Sequence, residues 1–258
     1  MEAFDLKGRA ALVTGGNGGI GLGMAKGLAQ AGAAVAVAGR DSSKNSQALA
    51  QLKEFGVTAI AVKADVKDEN SCRRMVDEAA EKLGRLDILV NNAGMNIRKA
   101  PQDLPFESWR EVLAVNLDSA FVASQAAYPH LKRAAAGGRA AKIINTGSMM
   151  SIFGAAYLAA YAASKAGIVQ LTKALACAWA KDNIQVNAVL PGWIDTALTR
   201  KARVELDGLN ERVLSRTPAG RWGEPEDMAG IAVFLASAAS DFVTGAAIPV
   251  DGGYSSQG

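Results

Sequence analysis

The chain has 258 residues, half of them hydrophobic, so it is long enough to bury one large α/β core. Its 28 basic and 25 acidic residues are dispersed and leave a net charge of +3, which argues against nucleic-acid binding. A single histidine excludes Ser-His-Asp hydrolysis unless that one residue serves, and two cysteines predict neither a disulfide framework nor a metal site.

The N-terminal segment lacks the basic stretch and apolar core of a targeting signal, and no apolar run reaches membrane-spanning length. Both cysteines, Cys72 and Cys177, fall within predicted helices. These features predict an unprocessed, cytoplasmic protein that does not engage a membrane.

The first predicted element is a buried strand that leads into a glycine-rich turn. The apolar run 9–14 enters Gly-Gly-Asn-Gly-Gly-Ile-Gly at positions 15–21, and helical periodicity follows over 22–31. Such a turn lets backbone N–H groups approach a pyrophosphate, to which the helix N-terminus adds partial positive charge. The spacing fits a register of glycines 16, 18 and 21 and a wider one of 15, 19 and 21, and does not choose between them.

The second predicted strand, 34–38, ends close to Arg40 and Asp41. An acidic residue about twenty positions past the glycines usually holds the ribose hydroxyls of NAD. A guanidinium can instead pair with the 2′-phosphate of NADP. Arg40 therefore favours NADP, and Asp41 leaves NAD open.

The next elements are a helix over 42–55 with Ser42 or Ser43 as its N-cap, a strand over 57–62 and a helix over 69–83. Asp65, at the end of that strand, is interpreted as a contact for an adenine amino group, as the N-cap of the helix, or as both. A fourth strand, 86–90, opens into the tight turn Asn-Asn-Ala-Gly at 91–94.

A long helix is predicted over 106–131, with Asn116 poorly placed inside it because asparagine competes for backbone hydrogen bonds. A fifth strand, 142–147, delivers Ser148, and the next helix carries Tyr161 and Lys165 to about residue 180. Residues four apart share one helix face, so the ammonium is expected beside the phenol and to lower its pKa. Such a tyrosine can exchange protons with a carbinol or carbonyl.

The last elements are a sixth strand over 184–190, a polar helical lid over 197–216, a helix over 226–236 and an edge strand over 246–250. Strands and helices alternate along the chain without a linker or repeat. The alternation predicts a single α/β domain over 1–258 with a doubly wound parallel sheet of about seven strands and a substrate loop and lid at about 191–216.

Six motifs occur in one order: Thr14-Gly15-x-x-x-Gly19-x-Gly21, Asn91-Asn-Ala-Gly94, Asn116, Ser148, Tyr161-x-x-x-Lys165 and Pro191-Gly192. With these motifs the chain resembles the short-chain dehydrogenase/reductase family over essentially its whole length. The resemblance implies a Rossmann-type, three-layer αβα fold and an NAD(P)-dependent oxidoreductase acting on CH–OH groups. It also favours the wider glycine register.

The resemblance further implies that Asn116, Ser148, Tyr161 and Lys165 form the catalytic group. Tyr161 would be the acid/base, Ser148 would hydrogen-bond the reacting oxygen, and Lys165 would bind the nicotinamide ribose and lower the Tyr161 pKa. Asn116 would hold a water in a proton relay by opening its helix. Tyr157 is a second phenol, but the residue four positions later is not a lysine, so it is interpreted as a wall of the substrate pocket.

The positions that match the cofactor-binding pattern of the family lie on the predicted turns. They are Gly15, Asn17, Gly18, Ile20, Arg40, Asp65, Val66, Asn92, Ala93, Gly94, Tyr161, Lys165, Pro191, Gly192, Ile194 and Thr196. Segments 234–245 and 250–253 resemble the subunit-contact region of the family, so a homotetramer is expected.

A basic pair, Arg98-Lys99, follows the 91–94 turn, and Arg98 could bind a substrate carboxylate beside Ser148 and Tyr161. This pattern resembles members of the family that act on sugar acids such as gluconate. A 3-oxoacyl thioester reductase is the alternative, favoured if Met149, Met150, Phe153 and Trp193 line an apolar pocket, and a glucose 1-dehydrogenase-like activity is the third. A cofactor-binding protein without catalysis and a nucleic-acid binder on the same fold are the alternatives from other classes.

Overall fold

The computed structural model describes residues 2–257, and within that range seven parallel strands form one sheet. The strands are β1 (Ala10–Thr14), β2 (Ala34–Gly39), β3 (Ala59–Lys63), β4 (Ile88–Asn91), β5 (Ala141–Thr146), β6 (Ile184–Pro191) and β7 (Ala247–Val250). Their order in space is β3-β2-β1-β4-β5-β6-β7. The predicted doubly wound sheet is confirmed.

Helices cover both faces of the sheet. They are α1 (Gly19–Gln30), α2 (Ser42–Lys53), α3 (Glu69–Leu83), α4 (Phe106–Leu113), α5 (Ser119–Ala135), α6 (Ala159–Trp179), α7 (Ala197–Glu205), α8 (Leu209–Arg216) and α9 (Ala229–Ala236). Successive residues of a strand point to opposite faces, so Val13 joins a core with Leu28 of α1 while Leu12 joins a second core with Met75 of α3. Burial on both faces explains why the strands are continuous apolar runs.

Two helix N-caps differ from the prediction. Asp41, not Ser42 or Ser43, caps α2: its carboxylate accepts from the backbone N–H groups of Ser43 at 2.9 Å and Lys44 at 3.1 Å. Asp68, not Asp65, caps α3. In both cases the capping carboxylate sits on an extended residue directly before the first turn, where it also favours the positive end of the helix dipole.

The predicted helix over 106–131 is interrupted at Asn116. α4 and α5 are joined by one π-helical segment, Ala114–Asp118, in which the Ser119 N–H donates to the Ala114 carbonyl five residues earlier. The Asn116 Oδ1 accepts from the Met95 N–H at 2.8 Å, and its Nδ2 donates to the Met95 carbonyl at 2.9 Å. The sequence prediction that this asparagine disturbs its helix is confirmed, because its side chain bonds outside the helix.

The C-terminal third contains the lid segment and the sheet edge. The polar stretch 197–216 is helical, as α7 and α8, and the predicted 226–236 helix is a 3₁₀ turn over Pro225–Met228 followed by α9. β7 is an edge strand as predicted, and Pro249 fits there because it has no N–H to offer a further strand. No helix between residues 2 and 257 combines the length and apolarity required to cross a bilayer.

Candidate active site

The carboxyl ends of the strands form one edge of the sheet, and the order reverses between β1 and β4. A parallel sheet opens a crevice at such a reversal, since neighbouring connections leave in opposite directions. The glycine turn follows β1 and the 91–94 turn follows β4, so both border this crevice.

The glycine turn is held against the 91–94 turn by two side chains. Thr14 Oγ1 accepts from the N–H groups of Asn92 and Ala93, both at 3.0 Å. Asn92 Nδ2 donates to the carbonyls of Thr14 at 3.1 Å and Gly15 at 3.2 Å. These bonds fix the glycine backbone at the crevice mouth, and the Gly15 N–H donates to the Ala38 carbonyl of β2 at 2.8 Å.

The packing of this turn distinguishes the two glycine registers. A Cβ on Gly21 would lie 2.4 Å from the Gly15 carbonyl oxygen, and Gly19 has a φ of +50°. A Cβ on Gly18, by contrast, would meet nothing within 4 Å. The backbone therefore requires all three glycines of the wider register, since Gly15 also has a φ of +62°, and it requires Gly16 of the narrower one, where a Cβ would lie 2.8 Å from the Val13 carbonyl oxygen.

Ser148 lies where β5 ends and begins a short 3₁₀ turn, Met149–Ser151. Its Oγ accepts from the Met150 N–H at 3.1 Å, while its own N–H donates to Ser151 Oγ at 3.2 Å. Ser151 Oγ in turn donates to the Lys165 carbonyl at 2.7 Å. The turn is thereby tied to α6, the helix that carries Tyr161 and Lys165.

Lys165 is 4% exposed, and its ammonium points into the site. Nζ donates to the Thr146 carbonyl at 2.7 Å and lies 5.7 Å from the centroid of the Tyr161 ring. Burial lowers the pKa of Lys165 from 10.5 to about 8. The predicted placement of the ammonium beside the tyrosine is confirmed.

The pKa of Tyr161 is set by opposing effects. Burial of the phenol raises its pKa, and the hydrogen bond with Ser148 and the charge of Arg98 lower it. The Lys165 Nζ donates to the Thr146 carbonyl and lies alongside the ring, so its expected lowering of the Tyr161 pKa stays a prediction.

Asn116 is joined to the catalytic helix through a buried serine. Its Nδ2 donates to Ser164 Oγ at 3.0 Å, and Ser164 Oγ donates to the Tyr161 carbonyl at 2.7 Å. Ser164 is fully buried. The four residues of the expected catalytic group thus meet at one place, with Asn116 linked to α6 by its side chain.

An inner cavity of about 140 Å³ lies between the glycine turn and this group. Of the expected cofactor residues, it is lined by Ile20, Asn92, Gly94, Tyr161, Lys165, Pro191, Gly192, Ile194 and Thr196. The others lie along the same sheet edge, beyond the ends of β1, β2, β3 and β4, without lining this cavity: Gly15, Asn17, Gly18, Arg40, Asp65, Val66 and Ala93. Together they outline an elongated groove.

An outer cavity of about 490 Å³ opens beside Ser148 and Tyr161. Its wall includes Tyr157 and the apolar residues named from sequence, Met149, Met150, Phe153 and Trp193. Two cations also line it. Arg98 lies 3.5 Å from a carboxylate oxygen of Glu205 on α7, and Arg216 ends α8.

A family model described as Enoyl-(Acyl carrier protein) reductase matches residues 15–255. The chain is 41% identical over 254 residues to a 2-dehydro-3-deoxy-D-gluconate 5-dehydrogenase of Formosa agariphila, covering 98% of this chain and 95% of that protein. It superposes with a TM-score of 0.92 and 39% identity on a gluconate 5-dehydrogenase from Burkholderia cenocepacia in complex with NADP and tartrate, covering 100% and 99% of the two chains. The chain belongs to the short-chain dehydrogenase/reductase family.

A further relative of this dehydrogenase/reductase differs in the substrate that its name gives. It is a rhamnolipids biosynthesis 3-oxoacyl-[acyl-carrier-protein] reductase of Pseudomonas aeruginosa, 39% identical over 252 residues, with 97% of this chain and 98% of the relative covered. The family, fold and oxidoreductase class expected from the motifs are confirmed by these similarities.

Three polar residues of this short-chain dehydrogenase/reductase were missed by sequence reasoning. Ser151 and Ser164 hold the catalytic helix, and Arg216 lines the outer cavity. Thr14, which was named only as part of a motif, holds the two turns together. Ser164 carried a signal, since it is a polar residue in the alanine-rich first turns of α6, directly before the lysine. Arg216 carried none, because its partners lie far from it in the chain.

Proposed function

We propose that the protein transfers a hydride reversibly between NADP and a secondary alcohol or ketone of a sugar acid such as gluconate. The observation that carries the proposal is that Ser148 and Tyr161 border both cavities: the inner one, which Lys165 also lines, and the outer one, which is lined by arginine. The names of the Formosa and Burkholderia relatives support the substrate class.

The groove suits a dinucleotide cofactor. Its turn has no room for a side chain at Gly21, and its backbone is anchored by Thr14 and Asn92. We assign cofactor binding to the glycine turn, the ends of β2, β3 and β4, Lys165 and the 191–196 segment. When bound there, the nicotinamide supplies or accepts the hydride.

The choice of NADP follows from the end of β2. The carboxylate of Asp41 already accepts two N–H groups of α2, so it is committed to capping. Arg40 is exposed, and the structure gives it no ion pair among residues 2–257. A free guanidinium here can form charge-assisted bonds with a 2′-phosphate.

Replacing Arg40 with alanine is expected to reduce the preference for NADP over NAD by about 10- to 100-fold, since a hydrogen bond to a charged group contributes roughly 1.5–3 kcal/mol. The measurement is kcat/KM for each cofactor. Asp41→Asn is the matched control, because asparagine caps equally well, and it should keep the parent's preference. An unchanged preference in Arg40→Ala would contradict the assignment.

In the proposed chemistry, Tyr161 holds and moves the proton. During oxidation its phenolate accepts the hydroxyl proton as the carbinol carbon loses a hydride. Ser148 donates a hydrogen bond to the reacting oxygen, Lys165 binds the nicotinamide ribose, and Asn116 holds a relay water at its opened helix. Burial raises the pKa of Tyr161 and disfavours the phenolate, and Ser148 and Arg98 act in the opposite direction.

A substrate comparison tests the proposal. The rate of NADP reduction is measured with D-gluconate and with sorbitol, its uncharged counterpart, and NADPH oxidation is measured with 5-keto-D-gluconate and with an acetoacetyl thioester. The sugar-acid proposal expects kcat/KM for gluconate to exceed that for sorbitol by about tenfold or more, because a charge-assisted bond to the carboxylate is absent in sorbitol. Preference for the thioester would contradict it.

Reduction of a 3-oxoacyl thioester is the second candidate. The apolar wall formed by Met149, Met150, Phe153 and Trp193 could hold an acyl chain, and the Pseudomonas relative carries that name. For this reaction, the apolar wall would have to keep the acyl chain away from the arginines of the cavity, Arg98 and Arg216.

We further propose that α7 and α8 act as a lid, that the protein is cytoplasmic, and that it assembles as a homotetramer. Glu205 of α7 reaches Arg98 at the cavity, which supports closure over the substrate. The exposed thiol of Cys177 suits a reducing compartment.

The sheet edge at β7 and the fully exposed Phe242 support a subunit contact, which light scattering would test.

A further inference from the structure

Arg216 is held at the outer cavity by two aromatic rings. Its guanidinium carbon lies 4.9 Å from the centroid of Phe153 and 4.5 Å from that of Tyr254. The rings belong to separate segments, one after β5 and one after β7, and the arginine comes from the end of α8. Stacking against two rings restricts the rotamers of a long side chain, so the group is pre-organised.

The edge of this guanidinium is free. Stacking uses its faces and leaves the N–H donors, which lie in the plane. Four other arginines near the cavity and lid are ion-paired, namely Arg98, Arg200, Arg203 and Arg221. The Arg216 side chain forms no ion pair or hydrogen bond with any residue of 2–257, so its donors can serve a ligand.

Arg98 is less suited to bind the carboxylate of a sugar acid. It already has a carboxylate partner, Glu205, at 3.5 Å. Its charge also acts on the pKa of Tyr161, whereas Arg216 has no such effect, so Arg98 lies at the reacting end of the cavity. A sugar acid that reacts at its fifth carbon has several carbon atoms between that carbon and the carboxylate.

We infer that Arg216 is the specificity-determining residue that binds the substrate carboxylate through paired N–H donors, with Phe153 and Tyr254 fixing its plane. The inference rests on the proposed function. It gives Arg216 the carboxylate-binding role that the sequence analysis gave to Arg98. Planar, bidentate pairing favours a carboxylate over a hydroxyl at this position and so separates sugar acids from neutral sugars.

The experiment compares kcat/KM for D-gluconate with that for sorbitol, using NADP, in the parent enzyme and in Arg216→Gln, Arg216→Lys and Arg212→Gln. Arg216→Gln should reduce the gluconate-to-sorbitol ratio by about 10- to 100-fold, mainly through the KM for gluconate, because charged hydrogen bonds are lost. Arg216→Lys keeps the charge without the planar fork, so its gluconate-to-sorbitol ratio should lie between those of the parent and Arg216→Gln. Arg212 is an exposed arginine one turn earlier on α8, and Arg212→Gln should keep the parent's ratio.

Each outcome decides a different point. A lowered ratio in Arg216→Gln, with the parent's ratio in Arg212→Gln, supports the inference, and measurable turnover of sorbitol by the variant shows that it is folded. A parent that prefers gluconate and an Arg216→Gln variant with the same preference would overturn the inference and leave the sugar-acid proposal intact. A parent without preference for gluconate would overturn both.

Discussion

Replacing Tyr161 with phenylalanine is expected to lower kcat for sugar-acid oxidation by about 10²- to 10⁴-fold, the usual contribution of a positioned acid or base. Phenylalanine keeps the ring that packs beside Lys165 and removes only the hydroxyl that bonds with Ser148. Cofactor binding should therefore persist. Steady-state kinetics give the loss in kcat, and a fluorescence titration with NADPH shows whether the groove is intact.

Tyr157 provides the matched control for this experiment. Its phenol lines the same outer cavity, but it is 60% exposed and not followed by a lysine four positions later. Tyr157→Phe should change kcat by less than about threefold, in keeping with substitution at an exposed position. Comparable losses in the two variants, or a Tyr161→Phe variant within tenfold of the parent, would remove Tyr161 from the acid/base role.

The fold was predictable because it depends on local patterns. Alternating apolar runs and helical periodicity specify a parallel sheet, since strands joined by helices pair in that way. The meeting of Tyr161 and Lys165 was predictable for the same reason, because their spacing of four places them on one helix face. The poor fit of Asn116 to its helix followed from its side-chain chemistry, and the opening of the helix there was implied by the family resemblance.

What the sequence could not provide were contacts between distant segments. The direction of the Lys165 ammonium depends on the Thr146 carbonyl at the end of β5, a partner that the four-residue spacing does not indicate. The predicted N-cap of α2 was wrong for a related reason. Asp41, Ser42 and Ser43 are all good N-cap residues, and the choice among them depends on where β2 ends and the helix begins. Arg216 depends on rings from two other segments, so no local pattern could indicate it.

Replacing Lys165 with methionine is expected to stabilise the folded protein while removing most of its activity. The fall in the lysine pKa from 10.5 to about 8 corresponds to a destabilisation of about 3 kcal/mol when the amine is charged in both the folded and unfolded chain. Methionine removes that cost and also the hydrogen bond from the charged amine to Thr146, worth about 1.5–3 kcal/mol. A net gain of up to about 1.5 kcal/mol, or roughly 6 °C or less in Tm, should remain near pH 7.

The pH dependence identifies the cause of this gain. Above about pH 8 the folded lysine loses its proton while the unfolded lysine keeps it up to its ordinary pKa, so the parent becomes more stable as the pH rises between the two values. The advantage of Lys165→Met should therefore be full below pH 8 and vanish as the pH approaches 10.5. Lys173→Met, at an exposed position of the same helix, should show neither effect.

The kcat of Lys165→Met should fall by about 100-fold or more, because misplacement of a bound reactant alone has that effect. A Lys165→Met protein that melts below the parent at neutral pH would contradict the prediction. It would mean that the buried ammonium stabilises the fold.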